Sequence, residues 1–270
     1  LRYYYKEYVC CTVSGFSIDT DDSVCPVDAI RWSNEKQEIE INSEKCIKCG
    51  ICVSRCPYGA IFINDQNDIK INIERSNYRY EIIEFPSNAN DRQAECAIRA
   101  ESIATNRQIT ATLGSSVERI YDKIRTQHAF VPLLCRNLII SLGYNCSIRR
   151  TGDVYTRADA IFETDGLFGV VEIELDNDLL SAARNLLDDL AVSQSRYNID
   201  SRSAIPVVLC LAIPNKRQGF FQVCDDVEKV LAIRIRTLTI GALLILVWSG
   251  VRLEFNQDNF KLGFRNTSIK

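Results

Sequence analysis

Apolar positions change their period along the chain. In the first quarter they alternate, in Glu38-Ile39-Glu40-Ile41-Asn42 and again in Asp68-Ile69-Lys70-Ile71-Asn72. Alternation of this kind marks a strand with one buried face. Each copy follows a Cys-Pro pair, Cys25-Pro26-Val27-Asp28-Ala29-Ile30 and Cys56-Pro57-Tyr58-Gly59-Ala60-Ile61. The segment therefore reads as a duplicated unit of cysteine loop, short helix and β-hairpin. From residue 115 the period becomes helical. Val117, Ile120, Tyr121 and Ile124 share one face of a helix that Ser115 or Ser116 would cap; apolar spacing runs on to Leu142 with a break at Pro132, and Gly143 ends it. Strands are expected over residues 145–150, 156–163 and 167–175, the last two joined by a turn at Asp165-Gly166. A helix over 179–193 places Leu179, Ala182, Ala183, Leu186, Leu187 and Leu190 on one side. Residues 204–213 are continuously apolar, as a central strand covered on both faces should be. Phe220, Phe221, Cys224, Val227 and Leu231 predict another helix, and strands are expected for most of the remainder, with a hairpin at Ser249-Gly250. The order α-β-β-β-α-β-α-β predicts a mixed sheet flanked by helices. Residues 76–114, with the loop signal Pro86-Ser87-Asn88-Ala89-Asn90-Asp91, read as a connector. The expectation is an α+β protein of two domains, residues 1–75 and 115–270.

Composition narrows the picture. With 46% hydrophobic and 25% charged residues the chain has the make-up of a globular protein and not of a disordered one. The longest apolar run, Ala242 to Trp248, is far short of the ~18 residues of a membrane span, and no charged-then-apolar leader pattern is present. A cytoplasmic setting without membrane association is expected. Residues 1–75 carry nine Lys and Arg against twelve Asp and Glu, whereas residues 115–270 carry nineteen against eighteen. Twelve Cys accompany a single His, His128, which excludes a multi-histidine metal site. Four of the Cys fall between residues 46 and 56, a density that points to metal ligation in a reducing compartment and not to scattered disulfides.

Those four make the run Cys46-x-x-Cys49-x-x-Cys52-x-x-x-Cys56-Pro57. Three thiolates two residues apart on a tight loop can each reach a separate iron of a cube, and Gly50 permits close approach of the backbone. The segment 1–75 resembles the bacterial dicluster [4Fe–4S] ferredoxins. By that resemblance Cys46, Cys49 and Cys52 bind one cluster and Cys25 crosses over as its fourth ligand. The first copy of the repeat has lost its own triplet, since Gly15, Ile18 and Asp21 stand at the matching positions. Cys56 then lacks its usual companions unless Cys10, Cys11 and Cys96 rebuild a second cluster site; otherwise these are buried thiols.

The second half offers carboxylates. Asp159 lies on one predicted strand, and Glu172-Ile173-Glu174 on the next puts two acids on one face. A hairpin at Asp165-Gly166 would bring Asp159 beside them, giving a hard oxygen site suited to Mg²⁺. Carboxylates on an apolar interior strand are costly unless they bind something. Order and spacing resemble the PD-(D/E)XK nucleases, of restriction-endonuclease-like fold. The resemblance implies Asp159 and Glu172 as metal ligands and Glu174 as a further ligand or the group that orients water. Glu174 replaces the family's Lys, and Ala158 stands where the family has Pro.

The resemblances together imply a Mg²⁺-dependent DNA endonuclease of restriction, defence or repair type, with an iron–sulfur accessory domain. A homodimer would supply the two active sites that cutting both strands requires. The alternative is a ferredoxin-type electron carrier with a non-catalytic docking domain; a third reading keeps the nuclease fold without activity. No flavin, haem or nicotinamide motif is present to serve as an in-chain electron acceptor.

Overall fold

The computed structural model describes residues 25–55 (except 34 and 37), 61–71 (except 65), 113–149, 157–176 (except 165), 179–200, 203–215, 219–250 and 255. Cys10, Cys11, Cys56 and Cys96 lie outside the described residues, as does the connector but for its last two positions. By backbone proximity the chain divides into two compact units, residues 1–143 with 244–252, and residues 144–243 with 253–270.

In the first unit the repeat is visible as two antiparallel hairpins. Strands β1 (Ile30–Ser33) and β2 (Glu38–Ile41) pair with Ile30 opposite Ile41; β3 (Ile61–Ile63) and β4 (Ile69–Ile71) pair with Ile61 opposite Ile71. The alternating Ile residues do what their period requires: Ile61 and Ile69 are buried with Val53, while Phe62 and Lys70 face outward. Helix α1 (Ile51–Arg55) follows the cysteine loop and packs on β3 and on helix α3 (Val131–Ser141). Helix α2 (Leu113–Thr126) begins earlier than the sequence suggests. Ser116 is thus inside the helix, where its hydroxyl accepts from the Asn67 amide at 3.1 Å instead of capping. The break falls at residues 127–130, with Pro132 in the first turn of α3, where its missing N–H would have had no helical partner.

The second unit is built on a five-stranded mixed sheet in the order β5-β6-β7-β8-β9. Strands β5 (Asn145–Ile148), β6 (Ala160–Thr164) and β7 (Leu167–Glu174) are antiparallel neighbours; β8 (Ala204–Cys210) and β9 (Arg236–Thr239) run parallel to β7. The β6–β7 hairpin closes after the Thr164–Leu167 pair, and Gly166 takes a positive φ of 80°. Helices α4 (Leu179–Tyr197) and α5 (Phe220–Leu231) are the crossovers between the parallel strands. Their apolar stripes pack with Val170, Val208 and Cys210 on one face of the sheet. The continuously apolar β8 is buried on both faces. Cys135, Cys146, Cys210 and Cys224 are buried.

On the opposite face Phe162 stacks on Phe255 at 4.9 Å and meets Tyr144 edge-on at 5.5 Å. Phe162 can lie flat there because its cross-strand partner is Gly169. A Cβ at position 169 would penetrate the Phe162 ring, which its stacked neighbours hold in place. Gly169→Ala is therefore expected to destabilise the protein by about 1–3 kcal/mol, the overpacking range. Chemical denaturation checks this, and an unchanged midpoint would show that the ring can move.

A further expectation fails. Residues 240–249 are not strand followed by hairpin but helix α6 (Ile240–Ser249). A short apolar run does not declare its period. The structure resolves it: Leu243, Leu244, Val247 and Trp248 are buried while Ile245 is exposed, which is helical spacing. The Thr239 hydroxyl accepts from Ala242 N at 3.0 Å and starts the helix.

Candidate functional site

Two groups of side chains, one in each unit, carry chemistry. The first is a cavity lined by Cys25, Cys46, Cys49 and Cys52 with Gly50 and Ile51. Cys25 precedes the others by twenty-one residues or more, and the β1–β2 hairpin returns it to them. Asn42 N donates to Ala29 O at 2.7 Å, closing the hairpin base just beyond Cys25. The Asn42 side-chain oxygen then accepts from Glu44 N and Lys45 N, and its carbonyl accepts from Cys46 N at 3.0 Å, so one Asn shapes the turn that delivers Cys46. Lys48 and Gly50 take positive φ, 54° and 76°, which coils the loop tightly enough to present successive thiols. The Lys48 ammonium is pinned to Asp68 at 2.5 Å, and that hydrogen bond, with the charge behind it, holds the Asp68 carboxyl below its ordinary value.

Burial pushes the Cys49 thiol up to about 12, and the neighbouring Cys25 and Cys46 add to the shift while the Ile51 amide opposes it. Cys25 is raised as well, burial again leading, against hydrogen bonds from nearby amides that include Ala29 N at 3.1 Å. Thiols crowded into an apolar cavity resist ionising alone and ionise when iron supplies positive charge, and backbone N–H groups aimed at sulfur suit a [4Fe–4S] cluster. The donor set fits that group. Among the described residues no three Cys, His, Asp or Glu side chains converge on one metal ion, and a cube asks for sulfurs at separate corners.

The second group sits on the central strand of the sheet. Because Ala160 pairs with Val171, Asp159 lies beside Glu172. Asp159 Oδ2 accepts from Ile173 N at 3.0 Å, and Oδ1 is 3.8 Å from the Arg149 guanidinium. Glu172 Oε1 accepts from the Asn185 amide on α4 at 3.0 Å. Glu174 Oε1 accepts from Asp176 N at 2.9 Å, at the exposed end of β7. The structure thus brings Asp159 and Glu172 side by side, with Glu174 on the same strand face but held by its own turn.

Sequence reading missed two members. Asn185 and Asp189 lie one turn apart on α4, on the side that meets the sheet. Asp189 is 4% exposed, its Oδ1 is 3.8 Å from Arg157, and its Oδ2 has no hydrogen-bond partner among the described residues. The signal was an acid placed between Leu186 and Leu190 on an otherwise apolar stripe.

Burial pushes the Glu172 carboxyl up to about 7; the Asn185 hydrogen bond opposes this, and the charges of Asp159, Asp189 and Glu174 reinforce it. Burial likewise raises Asp189 to about 6, with Arg157 opposing and the charges of Asp159 and Asp188 adding to the rise. Hard oxygens under mutual repulsion suit a divalent cation, and Mg²⁺ is commonly held by one or two carboxylates with waters and substrate phosphate completing its shell.

The folded protein keeps protons on Glu172 and Asp189 that the unfolded chain has lost, so the stability they contribute is present below pH 4 and is lost as pH rises through 6 to 7. Metal-free protein is expected to lose on the order of 1 kcal/mol from Glu172 between pH 5 and 7.5, after allowance for solvent screening. Melting curves of wild type and Glu172→Gln at both pH values check this: the variant's decline should be smaller, and equal declines would refute it.

Residues 39–62 match the 4Fe-4S binding domain family. The chain is 50% identical over 44 residues to an uncharacterized ferredoxin of Methanocaldococcus jannaschii, and 42% identical over 43 residues to a second uncharacterized ferredoxin of that organism. Each stretch is 16% of this chain, and the chain spans about a quarter of the length of the curated relatives it matches, 27% and 25%. Among solved structures, the small subunit of the heterodimeric restriction endonuclease R.BspD6I is similar over 53% of this chain and 83% of its own, at 13% identity and a TM-score of 0.38. The restriction endonuclease FokI is similar over 63% of this chain and 30% of its own, at 14% identity and a TM-score of 0.37. No helix among the described residues is long and apolar enough to cross a membrane.

Proposed function

We propose that the chain is a divalent-metal-dependent DNA endonuclease with a [4Fe–4S]-binding N-terminal segment. The observation that carries the nuclease reading is Asp159, just before β6, lying beside Glu172 on the interior strand β7, with Glu172 held close to neutral by burial and by its acidic neighbours. Such a pair is unfavourable in isolation, and a site that binds a cation explains its presence.

Asp159 and Glu172 would hold Mg²⁺. A bound divalent ion lowers the pKa of a water and offsets charge on a phosphodiester. Asn185 fixes the Glu172 carboxylate and Ile173 N fixes Asp159, so both ligands are oriented before the cation arrives. Glu174 would orient the attacking water or add a ligand after releasing Asp176 N. Arg149 and Arg157, paired with Asp159, Asp188 and Asp189, would contact the phosphates that flank the cleaved bond. In the N-terminal segment Cys25, Cys46, Cys49 and Cys52 would hold one cluster; a second would need Cys56 with Cys10, Cys11 and Cys96. The domain boundaries proposed from the sequence, 1–75 and 115–270, are best tested by limited proteolysis. A cytoplasmic location and a homodimer that cuts both strands complete the reading.

The test is incubation of anaerobically prepared protein with plasmid DNA and Mg²⁺ or Mn²⁺. Nicked or linear DNA that disappears with a chelator supports the reading, and intact plasmid under all metals overturns it.

A further inference from the structure

We infer that Trp248 is a positioning residue of the cluster-binding loop, its indole N–H fixing the peptide between Cys49 and Gly50; the inference rests on the iron–sulfur reading of Cys25, Cys46, Cys49 and Cys52. Trp248 lies in the last turn of α6 and is 5% exposed. Its Nε1–H donates to the Cys49 carbonyl oxygen at 2.7 Å, a buried bond between residues 199 positions apart. Any apolar side chain could fill that space. Trp alone among the large apolar residues without a hydroxyl brings a donor, and a buried indole N–H requires an acceptor.

The identity of the acceptor gives the bond its consequence. Cys49 is the middle member of the Cys46-x-x-Cys49-x-x-Cys52 triplet, and the residue after it is Gly50, buried and at φ 76°. A peptide that precedes glycine turns over more readily than others, because no Cβ blocks the alternative conformations. The two orientations of the Cys49–Gly50 peptide are chemically opposite. The bond is trans, so its N–H and C=O point in opposite directions. With the carbonyl held by Trp248, the Gly50 N–H is fixed in the opposite direction within the peptide plane, away from the indole. Gly50 lines the cavity together with the four thiols. With the peptide turned over, the partial negative charge of the carbonyl would replace a donor there. Hydrogen bonds to sulfur are among the levers that set a cluster's reduction potential and resistance to attack. Trp248 thus acts on the cluster through the backbone without touching it.

The test uses the full chain loaded with its cluster. Trp248→Phe keeps an aromatic ring and removes the donor; Val247→Ala, at a buried neighbour on the same helix, removes packing and leaves the donor. Trp248→Phe is expected to load about four irons per chain, to show a shifted midpoint potential, and to lose its visible absorbance in air about ten-fold faster than wild type. Val247→Ala should keep the wild-type potential. Benzothienylalanine at Trp248 reproduces the indole shape with sulfur in place of N–H, and should reproduce the potential shift even where the Phe variant folds poorly. Wild-type potential and bleaching rate in both donor-less proteins overturn the inference, as does an equal shift in Val247→Ala. Wild-type protein that takes up no iron overturns the cluster reading itself, and is told apart by iron and sulfide analysis before any variant is compared.

Discussion

Glu172→Gln is expected to lower Mg²⁺-dependent DNA cleavage by about three orders of magnitude or more while leaving the fold intact, the loss that follows when several kcal/mol of metal-mediated charge stabilisation is removed. The substitution preserves size, and the Gln side-chain oxygen can still accept from Asn185. What it removes is the negative charge. Because Glu172 is held near neutral by burial and acidic neighbours, replacing it should leave stability at neutral pH unchanged or raised. Loss of activity with gain of stability separates a ligand from a structural residue, for which both would fall. Asp159→Asn should behave alike, since Asn can still accept from Ile173 N. Glu174→Gln tests a different point: Glu174 is tied to Asp176 N, and the size of its loss relative to Glu172→Gln tells whether it leaves that bond to serve the reaction. Plasmid cleavage across a Mg²⁺ titration, read beside thermal melts, is the measurement. A Glu172→Gln protein that cuts like wild type ends the nuclease assignment.

Cys49→Ser is expected to reduce bound iron from about four atoms per chain to almost none. Cys49 is buried and its thiol is raised to about 12 without metal, so the site is built to be ionised by iron; a Ser hydroxyl, more weakly acidic still, cannot take its place. The consequences extend beyond the cluster. The apolar cluster behind the hairpins is small, Val53, Ile61 and Ile69 with partly buried neighbours, and the hairpins have only three or four paired positions each. In so small a segment metal-binding free energy is folding free energy. The variant's residues 25–71 should become sensitive to protease while the sheet of the second unit stays resistant. Iron and sulfide analysis with limited proteolysis decides this, and four irons retained in Cys49→Ser would remove Cys49 from the ligand set.

The elements were legible to the degree that their burial is periodic. The Ile alternation at 39–41 and 69–71 became hairpin strands, the stripe from Leu179 to Leu190 became α4, and the uninterrupted apolar run from Ala204 became the doubly buried β8. The run Ala242–Trp248 has no such period in its composition and was misread as strand. Ser116 looked like a cap because the residue it meets, Asn67, is far away in sequence.

By itself the sequence determined the cysteine loop, the internal duplication, the order of elements from β5 to β9 and the pairing of Asp159 with Glu172. Each of these is a local property: ligand spacing on one loop, side-chain period along one element, or a two-strand hairpin closed by a glycine turn. Only the tertiary structure decided that α4 sets Asn185 and Asp189 against the carboxylates, that 240–249 is a helix, and that Trp248 reaches the Cys49 carbonyl. The physical reason is that these contacts join residues from different elements, and the packing that brings such elements together is set by the shape and burial of the whole unit, which no window of sequence contains.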